Sequence, residues 1–367
     1  MKVLMVGPGR EDKGGIATVV NQYYEANINK KVDIKYITTM HDGTKIKKIL
    51  TAIMSLIEFK TCIHDYDIVH IHMSSRASYY RKRMFVKVAK ENGKKIIIHV
   101  HGSEFDVFYN KECTQKQQKQ IRKTFAMADE VIVLSNEWKE FFIGICDEAK
   151  IKVLHNAVVI PEYINRNISN HNMLFLGRLG ERKGIYDLLK VMPKIVEHIP
   201  DVHLFYGGDG EIEQTQEYIE QEKIQNYCTY LGWIDGKEKV EMLKKCSVFV
   251  LPSYHEGMPM AILEAMSYGE IVVSTYVGGI PQVIKDSING YLFEAGDIRD
   301  LESKLLKVFA ECNKEEIAIN AYEEVKERFN VEKNVETLCG WYKKLVQSSV
   351  FVGGQWKNSP QDVLSCC

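Results

Sequence analysis

No two cysteines in this chain are spaced as C-x-x-C, and the nine present lie far apart except for the terminal Cys366 and Cys367. That pattern reads as free thiols in a reducing compartment, not as a disulfide framework or a zinc site. Charge imbalance is also lacking: the net charge is -1. A globally basic nucleic-acid binder is excluded, and no nucleic-acid partner is expected. No apolar run approaches the ~20 residues of a membrane-spanning helix. The apolar part of the opening MKVLMVGPGRED is too short for the core of a signal peptide. The expectation is a cytoplasmic protein, at most peripheral on the inner face of the cytoplasmic membrane.

What is present is an ordinary globular composition, 45% hydrophobic and 26% charged, in 367 residues, enough for two domains. Short apolar runs alternate with amphipathic stretches throughout, which predicts an α/β protein with parallel sheets. Strands are predicted near 3–6, 68–72, 95–100, 131–134 and 151–154. After a polar break at 165–172 the rhythm restarts, with strands near 173–176, 203–206, 228–231, 248–251 and 271–274. Two doubly wound domains, 1–165 and 166–330, follow from this, with ligand crevices at the carboxyl ends of their strands. A long helix is predicted after Gly184, kinked at Pro193. Another over about 331–346 is placed to pack back on the first domain, and 347–367 is expected to be poorly ordered.

Five segments carry candidate chemistry. In Gly7-Pro-Gly9-Arg-Glu-Asp-Lys-Gly14-Gly15 a glycine-rich turn opens onto a helix, where backbone N–H groups can face an anion. The alternative is a tight structural turn. A dinucleotide fingerprint is weakened because Asp12 stands where its third glycine would be. Gly177-Arg178 to Lys183-Gly184 again joins a strand to a helix, and Arg178 and Lys183 can converge on a departing diphosphate. A unit charge pair at 4 Å is worth ~4 kcal/mol at an effective dielectric of 20. A solvated basic loop is the alternative here.

The most specific segment runs from Ser253 to Gly269. Glu256 lies on the loop before a helix that opens near Pro259 and stops at Gly269, and Glu264 is expected about two turns in. Carboxylates suit vicinal hydroxyls, and an unpaired one is costly to bury. Two unrelated surface glutamates are the bland reading. His99-Val-His101-Gly102-Ser103-Glu104 follows a strand, with Ser103 or Glu104 as candidate orienters of an imidazole; a structural histidine is the alternative. His70 and His72 share one face of a strand, but no nearby Cys, Asp or Glu completes a metal set, so no metal is expected. Arg76, Arg81, Lys82 and Arg83 belong to a stretch with eight Lys/Arg and one acid between residues 76 and 95. With Lys45, Lys47 and Lys48 beside 49–59, they suggest a basic surface for anionic lipid or an acceptor's pyrophosphate. A solvated charged face is the alternative.

In this order, Gly14-Gly15, His101-Gly102, Arg178, Lys183 and the E-x7-E element Glu256 to Glu264 resemble glycosyltransferase family 4. Gly207-Gly208-Asp-Gly210 and Leu231-Gly232-Trp233 fit it too. The resemblance covers most of residues 1–330 and implies the GT-B fold, two facing Rossmann-like domains with a cleft between them. It implies a nucleotide-sugar donor, UDP before GDP, held mainly by the second domain. Arg178 and Lys183 would hold the diphosphate near Gly177 and Gly208, and Glu264 the ribose. The base would lie against Trp233 and Ile234, and the sugar against Glu256, Gly257 and Met258. Gly14 and Gly15 would approach from the first domain, and His101 would bond a sugar hydroxyl.

A retaining hexosyl transfer to a glycan or lipid-linked acceptor in polysaccharide biosynthesis is implied. With no D-x-D in a phosphate-binding context, no metal or other cofactor is expected. A GT-B-type nucleotide-sugar epimerase and a non-catalytic nucleotide-sugar-binding partner subunit remain the alternatives; an NAD-dependent dehydrogenase stands last.

Overall fold

The computed structural model describes residues 1–163 and 168–352. The first sheet comprises β1 (Lys2–Gly7), β2 (Asp33–Thr38), β3 (Ile68–Met73), β4 (Lys95–Val100), β5 (Glu130–Val133) and β6 (Ile151–Val153), in the order β2-β1-β3-β4-β5-β6. The second comprises β7 (Asn172–Leu176), β8 (His203–Gly207), β9 (Cys228–Tyr230), β10 (Val248–Leu251), β11 (Ile271–Thr275) and β12 (Tyr291–Phe293), in the order β12-β11-β10-β7-β8-β9. Neighbouring strands are parallel throughout both sheets.

Parallel sheets are covered on both faces, so their central strands read as unbroken apolar runs. Val248–Leu251 and Ile96–Ile98 are of this kind and fully buried. The edge strands β2 and β12 are additions to the sequence reading. β2 carries Asp33 and Lys35 and is mostly half-exposed, and β12 is three residues long. Neither presents the run that identifies a central strand.

In each sheet the chain order reverses beside the first strand, between β1 and β3 and between β7 and β10. Such switch points open a crevice at the strands' carboxyl ends. The turn after β1, Ser74–Arg76 after β3, Gly177–Gly184 after β7 and Ser253–Glu256 after β10 flank these crevices.

The helix Ile185–His198 continues through Pro193. The helix Met260–Ser267 follows Pro259 and stops at Gly269, at φ +72°, whose N–H bonds to the Met266 carbonyl at 2.9 Å. Glu264 is its fifth residue, just over one turn in and not two.

The expected boundary at 165 falls among residues 164–167, outside the described residues. Further on, Val158 pairs with the segment around Asn330: its N–H bonds to Phe329 O at 2.9 Å, and Val331 N–H bonds to its carbonyl at 3.0 Å. The final helix, Val331–Val352, then packs on the helix Gly15–Glu25 of the first half. It runs past the expected end at 346, because each residue added to a formed helix gains one hydrogen bond. The expected tail from 347 thus begins within this helix, and from residue 353 it lies outside the described residues.

Candidate active site

A cleft of about 460 Å³ lies between the two sheets' carboxyl ends. It gathers residues from both halves: Gly14, Gly15 and His101 on one wall, and Gly177, Arg178, Lys183 and Gly208 on the other. Trp233, Ile234, Glu256, Gly257, Met258 and Glu264 complete the second wall. Close backbone packing explains part of this shape. A Cβ on Gly208, at φ +149°, would sit 1.8 Å from the Gly177 carbonyl oxygen, so only glycine lets these two turns meet. Gly15 has open space where a Cβ would stand, and the helix Gly15–Glu25 has no side-chain N-cap. Its first N–H groups are thus bare toward the cleft.

Asp12, which spoils the dinucleotide fingerprint, pins this turn by accepting from Gly9 N–H at 2.9 Å and Asp42 N–H at 3.0 Å. Lys13 reaches across the cleft, its ammonium 5.3 Å from the centre of the Trp233 ring.

Both glutamates are buried, and each has a lysine partner. The Lys183 ammonium bonds Glu256 Oε1, which also accepts from Ser253 Oγ at 2.7 Å. Among the described residues no hydrogen bond occupies Glu256 Oε2. Lys239 bonds Glu264 Oε1 at 2.7 Å. Lys183 is therefore a cation shared with a carboxylate, and Arg178 beside it makes no salt bridge among the described residues. Lys239 escaped the sequence reading because its partner lies 25 residues away on another helix, and Ser253, three residues before Glu256 on the same loop, carries no periodic signal that marks its hydroxyl as a partner.

His101 is not held by Ser103 or Glu104. Glu104 accepts from Arg76 at 2.9 Å, and the ring nitrogen facing His101 Nε2, at 2.9 Å, is His72 Nδ1. The register of β3 and β4 places His72 opposite His99, so His70, His72, His99 and His101 form a stack. Tyr342 of the last helix closes its far end, with Oη 2.5 Å from His70 Nδ1. Burial pushes the pKa of His70 and of His101 down to about 3, and those of His72 and His99 well below the usual value. His101 keeps part of its surface open to the cleft, which moderates the shift without reversing it. All four rings are neutral at pH 7.

The set that Cys, Asp or Glu does not complete is thus completed by a third histidine: one ring nitrogen from each of His70, His72 and His99 falls within 4.8 Å of the others. These rings do not fit a metal as they stand. His70 and His72 are stacked 4.6 Å apart at 15°, so their in-plane lone pairs run nearly parallel, whereas a metal needs them to converge at about 2.0–2.1 Å.

Within the expected basic surface, Lys82 is corrected. On the helix Ala77–Glu91, Lys82 shares the i, i+3, i+4, i+7 stripe with Phe85, Val86 and Ala89 and is 1% exposed. Burial, then repulsion from Arg81, drives its pKa well below the usual lysine value. It donates to Thr39 Oγ1 at 2.6 Å, which donates to the Gly7 carbonyl at 2.9 Å, fastening the root of the glycine-rich turn. Arg76, at φ +52°, is clamped by Glu104 and Glu112. Arg81 and Arg83 are half-buried.

Comparison with known proteins gives these elements their context. Residues 163–325 match the family model for glycosyl transferases group 1, and residues 14–160 match that for glycosyltransferase family 4. The chain belongs to glycosyltransferase family 4. It is 26% identical over 313 residues to a 41.2 kDa protein of the cps region of Klebsiella pneumoniae, covering 78% of this chain and 84% of that one. It is 29% identical over 306 residues to the Escherichia coli UDP-Gal:alpha-D-GlcNAc-diphosphoundecaprenol alpha-1,3-galactosyltransferase, covering 77% and 76%.

Among solved structures, sucrose-phosphate synthase from Thermosynechococcus elongatus superposes with a TM-score of 0.78 at 18% identity, over 95% of this chain and 99% of that one. Anabaena Alr3699/HepE in complex with UDP-glucose superposes with a TM-score of 0.74 at 18% identity, over 94% and 100%. The two parallel sheets are those of a GT-B glycosyltransferase, and this member of family 4 is a glycosyltransferase.

Proposed function

We propose that this glycosyltransferase moves a hexosyl group, with retention and without a metal, from a UDP-sugar to a glycan or lipid-linked acceptor in polysaccharide biosynthesis. The observation that carries this reading is the convergence of Arg178, Lys183, Glu256 and Glu264 on one cleft opposite Gly15 and His101. Arg178 and Lys183 take the diphosphate, helped by the bare helix start at Gly15, and oppose the charge that grows as the glycosidic bond breaks. Glu264, held by Lys239, takes the ribose hydroxyls, and Trp233 and Ile234 flank the base. His101, neutral and aligned by His72, bonds a hydroxyl of the transferring sugar. Glu256 is engaged by Lys183 and Ser253, which supports a contact to the donor sugar over a role as covalent nucleophile. The UDP named for the Escherichia coli relative and seen in the Anabaena complex supports the donor class.

Thermal shift with UDP-, GDP-, ADP- and CMP-sugars in EDTA tests this. A rise in Tm with the UDP-sugars alone is expected. Stabilisation by none of them, or only on adding Mg²⁺ or Mn²⁺, overturns it.

Peripheral membrane docking belongs to the same proposal, through the 45–59 part of the expected basic surface and not through its arginines. In the helix Lys45–Cys62, Ile46, Ile49, Leu50, Ile53, Met54 and Ile57 form one stripe, each more than half exposed. Lys47 and Lys60 flank it, and Lys87 and Lys90 stand exposed on the neighbouring helix; the side chain of Lys45 lies outside the described residues. No helix among the described residues is long and apolar enough to cross a membrane. An amphipathic stripe with basic flanks suits an anionic bilayer surface, where six half-inserted side chains contribute about 6 kcal/mol. Cosedimentation with phosphatidylglycerol vesicles that Ile49→Glu/Ile53→Glu abolishes is expected; equal sedimentation of the variant removes the proposal.

A further inference from the structure

A second cavity, also about 460 Å³, adjoins the donor cleft and shares Ser103 and Glu256 with it. Its volume is that of a small-molecule site. The two cavities differ in charge. The donor cleft carries Lys13, Arg178, Arg182, Lys183 and Lys239 against the carboxylates of Asp209, Glu256 and Glu264. The second is lined by the carboxylates of Asp106, Glu137 and Glu256, and neither lysine nor arginine is among its lining residues. Glu256 stands in the wall between them with Lys183 bonded to it, so that carboxylate is neutralised from the donor side. An anion entering the second cavity meets Asp106 and Glu137 with no lysine or arginine in the lining to compensate them and His255 as the only basic side chain there, which like-charge repulsion disfavours.

The remaining lining is aromatic. Trp138 and Phe141 come from the first half, and Tyr254 and Tyr276 from loops after β10 and β11 of the second. Tyr254 and Tyr276 are 38% and 46% exposed, so each keeps part of its ring open to an occupant of the cavity. Tyr254 is fixed in place: its hydroxyl donates to Asp187 Oδ2 at 2.7 Å and its N–H donates to the Arg182 carbonyl at 2.9 Å. Rigid amphipathic rings beside acceptor-only carboxylates match a ligand with apolar C–H faces and many hydroxyl donors. That is the chemistry of an uncharged saccharide.

We infer that this cavity is the acceptor subsite and that the acceptor's reactive unit is an uncharged sugar, with phosphate and uronate groups kept out of it. The inference rests on the donor reading above and deepens it. An acceptor hydroxyl here borders Glu256 and Ser103, at the boundary with the donor cleft. Its oxygen bonds the donor's anomeric carbon, the bond from that carbon to the diphosphate oxygen breaks, and the hydroxyl proton passes to the departing diphosphate. Asp106 and Glu137 accept hydroxyls of the bound sugar and take no part in the bond change. A lipid-pyrophosphate acceptor is then admissible only if its sugar chain holds the pyrophosphate outside the cavity.

Ligand-observed NMR on the full chain, with UDP present, tests this with methyl hexosides and the matching methyl hexuronides. Glu137→Lys and Tyr276→Ala change exposed side chains and leave the donor cleft alone. Saturation transfer to one or more neutral glycosides, none to the uronides, and at least tenfold weaker binding in each variant at unchanged UDP affinity are expected. Uronides binding as well as neutral glycosides, no glycoside binding while UDP binds, or neutral binding unaltered in both variants overturns the inference. Loss of UDP binding by the wild-type chain would instead remove the donor reading beneath it.

Discussion

Replacing Lys183 by methionine separates the structural work of this side chain from its work on the donor. In the free protein its ammonium is bonded to Glu256, whose side chain is 5% exposed while that of Lys183 is 15% exposed. Lys183→Met leaves that carboxylate with Ser253 alone. Removing one partner of a buried pair costs about 3–5 kcal/mol, and the lower end applies because the cleft admits water. For a domain of this size 3 kcal/mol corresponds to roughly 6–12 °C in Tm. The double variant Lys183→Met/Glu256→Gln keeps an acceptor for Ser253 and removes the stranded charge, so most of the lost Tm returns. Activity does not return, because the cation facing the diphosphate is still absent: kcat falls ~10²–10³-fold in single and double alike. Differential scanning fluorimetry and steady-state transfer assays read the two effects separately. A single variant within 2 °C of wild type, or a double as unstable as the single, refutes the pairing argument. Wild-type kcat/KM in the single variant refutes the diphosphate role.

His72→Phe keeps the stack's volume but removes the nitrogen facing His101, so kcat should fall ~10-fold or more with donor KM little changed; an equal loss in both would mean a general packing defect. The buried histidines are also a stability device with a definite sign. Their folded pKa values lie below the unfolded value of 6.5, so below pH 6.5 the unfolded chain binds more protons, and stability falls as pH drops toward the folded values. Each histidine contributes up to roughly 1 kcal/mol per pH unit in that window; a Tm that is flat from pH 7 to pH 5 would contradict the neutral stack. Glu264→Ala should raise donor KM ~10-fold or more while leaving kcat nearly intact, and an unchanged KM in titrations with the donor sugar would remove its ribose role.

The sheets were legible because buried parallel strands write themselves as apolar runs, as Val248–Leu251 and Ile96–Ile98 do, and ten of the twelve strands were foreseen. The missing two sit at sheet edges: half-exposure lets Asp33 and Lys35 interrupt β2, and β12, although buried, is only three residues long. The cleft was legible for a different reason: glycines and charged residues at strand ends sit in loops where neither is needed for the core, so they stand out against the run that precedes them. Partnerships were not legible. Nothing in the linear order joins His72 to His101, because the register between β3 and β4 decides that meeting. Lys82 was placed on the basic surface because charge was counted without periodicity. Lys82 lies on the same helical stripe as Phe85, Val86 and Ala89, and that spacing, readable from the sequence, already places it inside.

The pairing of both cleft glutamates also alters how the cleft's charge should be understood. A cleft with free Arg178, Lys183 and Lys239 would attract any polyanion, at a cost in repulsion among the cations themselves. With Lys183 on Glu256 and Lys239 on Glu264, two of the cleft's five cations are already compensated inside the protein. A diphosphate therefore gains from Lys183 only to the extent that it competes with Glu256, while a ligand that also donates hydroxyls to that carboxylate offsets the loss. Diphosphate and sugar are then recognised together, and UDP alone should bind more weakly than a UDP-sugar whose hydroxyls reach Glu256. Calorimetric titration of both ligands decides the point: equal affinities would show that Glu256 does not couple the two halves of the donor.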